Sequence, residues 1–238
     1  LEVGTEELPA DFSRLALPQL EAMVRRDLAQ RRLSHGFVKC TSTPRRIVLF
    51  VQALPDSASD SEQVLKGPPE SQAFNNGKPT KAAIGFAKRF QVDLSELEVR
   101  DTPKGPFVFA KILDRGAPTS DLLADLIPDW IGAIQGRRFM RWGNGESRFS
   151  RPIRWLVALL GQDLVPVSLK GTDPIISSGN LSRGHRLQKD DVSISSSEEY
   201  LETITRAGVF VDRKERGERI RKLINDEVSL LGAIPDLQ

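Results

Sequence analysis

Two spacings of apolar residues alternate along the chain, and together they predict its secondary structure. Apolar residues that recur every three or four positions share one face of a helix. This spacing predicts a first helix, capped by Asp11 or Ser13. Its apolar positions are Leu17, Leu20, Val24 and Leu28. A short strand before this helix turns at Gly4, and two further strands are predicted at 39–42 and 47–53.

The middle of the chain mixes polar stretches with elements of both kinds. Residues 56–63 are predicted to form a polar loop. Residues 65–80 are predicted to be irregular because they are rich in glycine, proline and asparagine. The elements predicted after them are a helix capped at Thr80, a hairpin over 97–113 around Lys104 and Gly105, and a helix over 119–134 interrupted or restarted near Pro128.

Strand patterns return in the last third of the chain before a helical end. Residues 153–160 and 164–169 are predicted strands, and Pro166 places the second at a sheet edge because proline cannot donate a ladder hydrogen bond. Residues 171–186 are predicted to form a loop. The final fifty residues are predicted to be helical, with apolar faces made of Tyr200, Leu201 and Ile204, and of Ile220, Leu223, Ile224, Val228 and Leu231.

Short strands mixed with separated helices indicate the α+β class, with mixed or antiparallel short strands and packed helices. A length of 238 residues suits one large domain or two small ones. We therefore treat 1–238 as one α+β region. The only candidate sub-boundary is the stretch near 55–80.

Composition places the chain among ordinary globular proteins. Hydrophobic residues make up 39% and charged residues 28%, which excludes a disordered chain. No apolar run approaches the roughly 18 residues of a transmembrane helix, and no signal peptide is visible. The single cysteine, Cys40, cannot form an internal disulfide. It fits a reducing cytoplasm and the role of a small buried residue.

Positive charge is concentrated in one stretch, although the net charge is only +2. Residues 136–186 carry nine basic and three acidic side chains, so the rest of the chain is net negative. Within 136–155, six arginines are interleaved with four aromatic residues. This pattern predicts a polyanion partner, because guanidinium binds phosphate and aromatic rings stack on bases. The alternative is that the aromatics form core while the arginine stems reach over them to water or acids.

The sequence contains few other residues that could form a catalytic, metal or phosphate-binding site. Glu6 and Glu7 are adjacent carboxylates that could serve acid–base catalysis or hold a metal, but neighbouring side chains point in different directions. His185 lies between basic residues and could act as a base or contact phosphate. Two distant histidines and one cysteine provide no recognisable zinc spacing, and no phosphate-loop signature is present.

Seven segments share an order and spacing that resemble the β subunit of bacterial heterotetrameric glycyl-tRNA synthetase. The similarity runs from Leu1 to around Arg213. The segments are VGTEELP, TPRRIVLFV, KGPP, AFNNGKPTKAAIGFAKRF, FMRWG, FSRPIRW and SRGHR.

The resemblance implies a part in an ATP-dependent glycine–tRNA ligase of α2β2 composition in the cytoplasm. The α subunit would make glycyl-adenylate with ATP and Mg, so we expect no cofactor, no metal and no catalytic residue in this chain. The chain would be the amino-terminal part of a longer β subunit, without the HD-like and anticodon-binding domains, and inactive alone. Its fold would be similar to the B3/B4 module of the phenylalanyl-tRNA synthetase β chain. We do not infer from this similarity that the chain edits mischarged tRNA, because no editing residue of that module can be matched to this sequence.

The implied partners are the α subunit and tRNA(Gly). We expect the chain to bind neither a membrane nor DNA. We expect the chain to bind and position tRNA or to hold the α subunit. The first candidates for phosphate contact are Arg137, Arg138, Arg141, Arg148, Arg151 and Arg154. The second candidates are Arg45, Arg46, Arg183 and Arg186.

Two further hypotheses remain open. In one, the chain is purely an assembly module whose basic face docks on the α subunit without touching RNA, since interfaces also favour arginine and tryptophan. In the other, it is an editing-type hydrolase that uses Glu6, Glu7 or His185.

Overall fold

The computed structural model describes residues 1–187 and 191–230. Within these ranges the chain combines short strands with six helices, which confirms the α+β class. The fold divides into two compact units, one made of Leu1–Ser57 with Pro118–Gln238, the other of Ala58–Ala117. The domain assignment made from the sequence stays a prediction, as does the likeness to the B3/B4 module.

The elements alternate along the chain in an irregular order. The strands are β1 (Glu2–Thr5), β2 (Val38–Thr43), β3 (Arg46–Val51), β4 (Ser61–Pro69), β5 (Phe74–Asn75), β6 (Lys78–Pro79), β7 (Glu98–Thr102), β8 (Gly105–Asp114), β9 (Ile153–Val157), β10 (Leu159–Leu160), β11 (Asp163–Leu164), β12 (Ser168–Leu169), β13 (Ile176–Gly179), β14 (Leu181–Arg183) and β15 (Asp191–Ser193). The helices are α1 (Phe12–Gln30), α2 (Glu70–Ala73), α3 (Lys81–Phe90), α4 (Thr119–Ala133), α5 (Tyr200–Arg206) and α6 (Arg213–Leu230), with a short 3₁₀ turn at Leu94–Glu96.

The larger unit is built on a six-stranded sheet in the order β12-β13-β9-β1-β3-β2. The central strand β1 is antiparallel to both β3 and β9, whereas β13 runs parallel to β9. All four residues of β1 are buried. Because strand side chains alternate between the two faces, Val3 lies on one face, level with Ile47 and Leu156. Glu2 and Gly4 lie on the other face.

Helices provide the remaining core of the larger unit. The buried face of α1 is Phe12, Ala16, Leu20, Val24 and Leu28. The predicted face is therefore correct except at its first position, where Ala16 is buried and Leu17 is only half-buried. Helix α4 lies beside α1, and the indole Nε1 of Trp130 donates a hydrogen bond to Asp27 Oδ2 at 2.9 Å. Helix α5 packs Tyr200 and Ile204 against Val48.

Several predicted boundaries are wrong. Residues 171–186 contain β13 and β14 rather than a loop, because backbone pairing with β9 and β12 holds the serine-rich Ile176–Gly179 in the sheet. Helix α4 continues through Pro128. The strand predicted over 164–169 is divided into β11 and β12, and Pro166 lies in neither of them. Only its last part, β12, lies at the edge of the six-stranded sheet. Leu231, which we assigned to a helical face, lies outside the described residues.

The smaller unit is a three-stranded antiparallel sheet in the order β4-β8-β7 with α3 packed on it. Strand β4 extends from Ser61 to Pro69, so the predictions of a loop over 56–63 and an irregular stretch over 65–80 are wrong there. The hairpin around Gly105 is confirmed. Thr80 caps α3 as predicted, because its hydroxyl accepts from the Ala82 N–H at 3.2 Å.

In the part of the chain that the structure describes, no helix has both the length and the apolar character needed to cross a membrane.

The start of α6 is fixed to the edge strand β2. Asp212 Oδ1 accepts from the N–H groups of Lys214 and Glu215 at 2.8 and 3.0 Å, which caps the helix. Lys39 Nζ, on β2, lies 2.5 Å from Asp212 Oδ2. The hydrogen bond from Lys39, followed by those from the backbone, lowers the pKa of Asp212 to about 2.

We therefore expect the cap at Asp212 to weaken under acid. A carboxyl whose pKa is lower in the folded state than its ordinary value of 3.8 stabilises the fold at neutral pH, and this is lost as the pH falls from about 4 towards 2. The protection factors of the Lys214 and Glu215 amides, which compare their exchange with that of an unfolded chain at the same pH, should fall over that range in the wild type. In the Asp212→Asn variant they should be lower already at neutral pH and nearly independent of pH.

Candidate functional site

A buried carboxylate lies at the centre of the sheet. Glu2 is fully buried and accepts hydrogen bonds from three uncharged donors. Ser182 Oγ donates to its Oε1 at 2.7 Å, Trp155 Nε1 donates to the same oxygen, and the Tyr200 hydroxyl donates to Oε2. Burial, followed by the charge of Glu2, raises the pKa of Tyr200, so the phenol stays protonated and keeps donating.

The countercharge to Glu2 is Arg46, which is only 3% exposed. Its Nη1 lies 3.3 Å from Glu2 Oε2, and its Nη2 donates to the Arg183 carbonyl oxygen at 2.6 Å. Among the described residues, Arg46 Nε has no hydrogen-bond partner. Arg46 was a second candidate for phosphate contact, but this guanidinium is occupied inside the fold and does not reach the surface. We leave it out of the candidate RNA surface.

The indole of Trp155 fits here because the residue opposite it is a glycine. Gly4 pairs with Trp155 across β1 and β9, and a Cβ atom at Gly4 would lie 1.8 Å from the indole ring. The guanidinium groups of Arg46 and Arg183 lie 5.4 and 4.9 Å from the ring centroid. Trp155 is therefore core, as the alternative interpretation of the arginine-rich stretch predicted for its aromatics.

Glu2, Arg46, Trp155, Ser182 and Tyr200, together the buried polar cluster, come from five separate elements. They belong to β1, β3, β9, β14 and α5. Four of these elements carry or adjoin segments on which the family resemblance rests. Sequence reasoning missed the cluster because Glu2 is an ordinary acid at the first position of a strand. The only sequence signal was its position two residues before Gly4, which places both residues on the same face of the strand.

The arginine-rich stretch before β9 is a loop tied to the body of the unit. Met140 and Phe149 exchange two backbone hydrogen bonds, of 2.9 and 3.2 Å. The rings of Phe139 and Phe149 pack on Phe12, with centroids 6.1 and 5.5 Å from it. These two phenylalanines are therefore packed against α1. Trp142 is only half-buried.

Two glycines allow the tip of this loop to lie against residues 171–173. Gly143 has a φ of +57°, and a Cβ there would lie 2.5 Å from the Asp173 carbonyl oxygen. At Gly145 a Cβ would lie 2.7 Å from the Gly171 carbonyl oxygen. The Asn144 N–H donates to Asp173 Oδ2 at 2.8 Å. The glycines of WGNG therefore permit a close backbone approach.

Four arginines of the loop are exposed to solvent and have no partner in the part of the chain that the structure describes. Their side chains are exposed, and within residues 1–187 and 191–230 their guanidinium groups make no hydrogen bond or ion pair. They are Arg137, Arg138, Arg141 and Arg148, which we call the exposed arginine group.

The other candidate arginines are partly engaged. Arg154 Nε lies 2.8 Å from Glu6 Oε1, and Arg186 Nη1 lies 2.6 Å from Glu7 Oε1, in exposed ion pairs. The half-buried Arg151 donates to the Ser150 carbonyl oxygen at 2.7 Å.

The two remaining candidates, Arg45 and Arg183, are sequence neighbours of Arg46 and Ser182 in the buried polar cluster. Arg183 is exposed and lies over Trp155. Arg45 is half-buried, and its carbonyl oxygen accepts from the Thr5 N–H at 2.8 Å.

Two clefts open in the larger unit, and their charges differ. One of about 460 Å³ lies beside the arginine loop, and the charged residues among its described lining are Arg148 and Lys170. The other, of about 830 Å³, is lined mainly by apolar side chains. Its charged lining residues are the acids Glu2, Asp56, Asp163 and Glu198. Only the smaller cleft has the charge that a polyanion requires.

No catalytic constellation is assembled from the candidate acids and histidine. Glu6 and Glu7 pair with different arginines, and exposed His185 accepts from the Leu187 N–H through Nδ1 at 3.4 Å. Burial raises the pKa of the Cys40 thiol to about 12, so it is not a nucleophile at neutral pH. No group of three or more potential metal ligands occurs in the described residues.

The structure thus defines an α+β scaffold, held by a buried ion pair, that presents a cationic loop suited to a polyanion. A family model described as glycyl-tRNA synthetase beta subunit matches residues 1–236, so the chain belongs to that family.

Curated relatives agree with this assignment. The glycine–tRNA ligase beta subunit of Acaryochloris marina is 45% identical over 226 residues, which cover 94% of this chain and 32% of the relative. That of Synechocystis is 43% identical over 97% of this chain, and that of Geobacter sulfurreducens is 39% identical over 99%. The chain spans about a third of the length of these relatives.

Removing the charge of Glu2 should strongly destabilise the larger unit. Glu2→Gln would leave Arg46 as an uncompensated buried charge, and breaking a buried pair in this way costs about 3–5 kcal/mol. The free energy of unfolding from urea titration should fall by that amount. Glu6→Gln, which breaks the exposed pair with Arg154, is the matched control and should cost less than about 1 kcal/mol. Equal losses in the two variants would contradict the assignment.

Proposed function

We propose that this chain is the tRNA-handling part of a glycine–tRNA ligase β subunit and that the exposed arginine group contacts phosphates of tRNA(Gly). The observation that carries this proposal is that four exposed guanidinium groups have no partner among the described residues and lie on a loop fixed by backbone hydrogen bonds. Such guanidiniums bind phosphate without first breaking an internal ion pair. The fixed loop also limits the ordering cost of binding.

The role proposed for the chain in catalysis is positioning. In the whole enzyme, glycine is activated with ATP and Mg on the α subunit, and this chain orients tRNA so that its acceptor end reaches the adenylate. Holding two reactants in the right orientation lowers the barrier without any group that acts on the reacting atoms. The lack of convergence among Glu6, Glu7 and His185 supports this role over an editing hydrolase.

The remaining candidate arginines contribute less directly to the proposed phosphate contact. Arg154 and Arg186 can exchange their exposed carboxylate partners for phosphate at small cost, since such pairs contribute at most about 1 kcal/mol. Arg45, Arg151 and Arg183 add positive potential around the loop.

Docking on the α subunit is the second candidate function. Met140 is 41% exposed between the arginines, and Trp142 is half-buried next to Arg141. Methionine, tryptophan and arginine are the residues that protein interfaces favour. The same loop could therefore dock on the α subunit, so binding of the α subunit should be measured in parallel with binding of tRNA.

Removing two members of the exposed arginine group should flatten the salt dependence of tRNA binding. Each lost phosphate contact reduces the slope of log K against log salt by about 0.7–0.9. Arg138→Gln with Arg141→Gln should therefore reduce it by about 1.5 in the full-length β subunit. A salt series of equilibrium binding to tRNA(Gly) measures this slope.

The matched control removes the same charge elsewhere. The half-buried Arg100 pairs with Glu98 and the exposed Arg206 pairs with Glu202. The Arg100→Gln and Arg206→Gln double variant should therefore leave the slope unchanged. If both double variants keep the wild-type slope while the Arg138 and Arg141 pair weakens binding of the α subunit, the loop is an assembly surface.

A further inference from the structure

The cleft of about 460 Å³ beside the arginine loop has the construction of a small-ligand site. Phe139 and Trp142 line it from the loop, and Lys170 lines it from the segment after β12. Buried apolar side chains, among them Ile153 and Leu169, also line it. Ligand pockets typically enclose about 300–1,000 Å³ and combine apolar walls with a few polar groups. This cleft meets that description.

The charged groups of the cleft are both cations. Arg148 and Lys170 are exposed, and neither makes an ion pair within the part of the chain described. Within residues 1–187 and 191–230, no acidic residue lines the cleft. A ligand that enters it must therefore tolerate or carry negative charge and must present a flat or apolar group to the aromatic side chains.

We infer that this cleft accepts an unpaired nucleobase of RNA, with the base stacked on Trp142 and an adjoining phosphate bound by Arg148 and Lys170. Proteins that read single-stranded RNA stack splayed-out bases on aromatic rings, because a paired base is already stacked inside its helix. Trp142 suits this role because it is half-buried at the cleft, whereas Trp130 and Trp155 are buried and hydrogen-bonded.

The close approach of the loop to residues 171–173 keeps the cleft in place. Ser147 donates its N–H to the Gly171 carbonyl oxygen at 2.8 Å, and the Asn144 N–H is bound to Asp173. These contacts join the loop that carries Trp142 and Arg148 to the segment that carries Lys170. The walls of the cleft are therefore preorganised, which reduces the ordering cost of binding.

This inference rests on the proposed contact with tRNA but depends on a different interaction. Phosphate contacts release counterions and set the salt slope, whereas a stacked base contributes affinity that depends little on salt. The Trp142→Ala variant should therefore weaken binding without changing the slope. The Arg138 and Arg141 double variant changes the slope, so the two ideas can fail separately.

The test uses the full-length β subunit and two RNA probes of equal length, a single-stranded oligonucleotide and a blunt duplex. Trp142→Ala should weaken binding of the single strand by about 5- to 150-fold, the usual range for one stacked base. Trp142→Phe should recover most of that loss. Duplex affinity should be almost the same in all three proteins. In the wild type, the single strand should quench tryptophan fluorescence more than the duplex does, and this comparison requires no variant.

Three results would overturn the inference. One is an unchanged single-strand affinity in Trp142→Ala together with equal quenching by the two probes. Another is an equal loss of affinity for single strand and duplex. The third is a loss confined to binding of the α subunit, which would assign Trp142 to a protein interface. If Arg138 and Arg141 still set the salt slope in any of these cases, the proposed phosphate contact stands and only the base site is rejected.

Discussion

The buried ion pair between Glu2 and Arg46 is the interaction on which the rest of the larger unit depends. Each partner was removed from water at a cost of several kcal/mol. The cost is offset only because Ser182, Trp155 and Tyr200 donate further hydrogen bonds to the carboxylate. Three strands of the sheet, the separate short strand β14 and helix α5 must therefore be in place together, which fixes the register of the three sheet strands. Burial, followed by the charge of Glu2, raises the pKa of Tyr200 and keeps its hydroxyl protonated. The pair also requires a glycine opposite Trp155, because a Cβ atom there would overlap the indole that donates to Glu2.

The buried cluster also connects the scaffold to the surface that we assign to RNA. Trp155 lies on β9, directly after the arginine loop, so fixing β9 fixes one end of the loop. The other end follows α4, which Trp130 bonds to α1. The tip is attached through Asn144 and Ser147 to residues 171–173. A loop attached at both ends and at its tip can hold guanidinium groups in solvent, where an untethered chain would lose more entropy on binding.

Sequence patterns predicted the elements whose apolar periodicity is strong and missed those held by partners distant in the chain. Helix α1, the Thr80 cap and the Gly105 hairpin follow from local spacing and turn chemistry. Strands β4 and β13 were predicted as irregular, because proline, glycine and serine hide strands that long-range pairing stabilises. Charge segregation pointed to the loop. It could not separate Arg46, which is paired inside the fold, from Arg138, which is exposed, because that difference depends on burial.

The most direct test of the proposed RNA surface is amide hydrogen exchange of the assembled enzyme with and without tRNA(Gly). We expect tRNA to slow exchange across residues 136–149 and around Lys170, while β1 and β9 remain equally protected in both states. Protection of residues 136–149 on assembly with the α subunit, with no further change when tRNA is added, would contradict it.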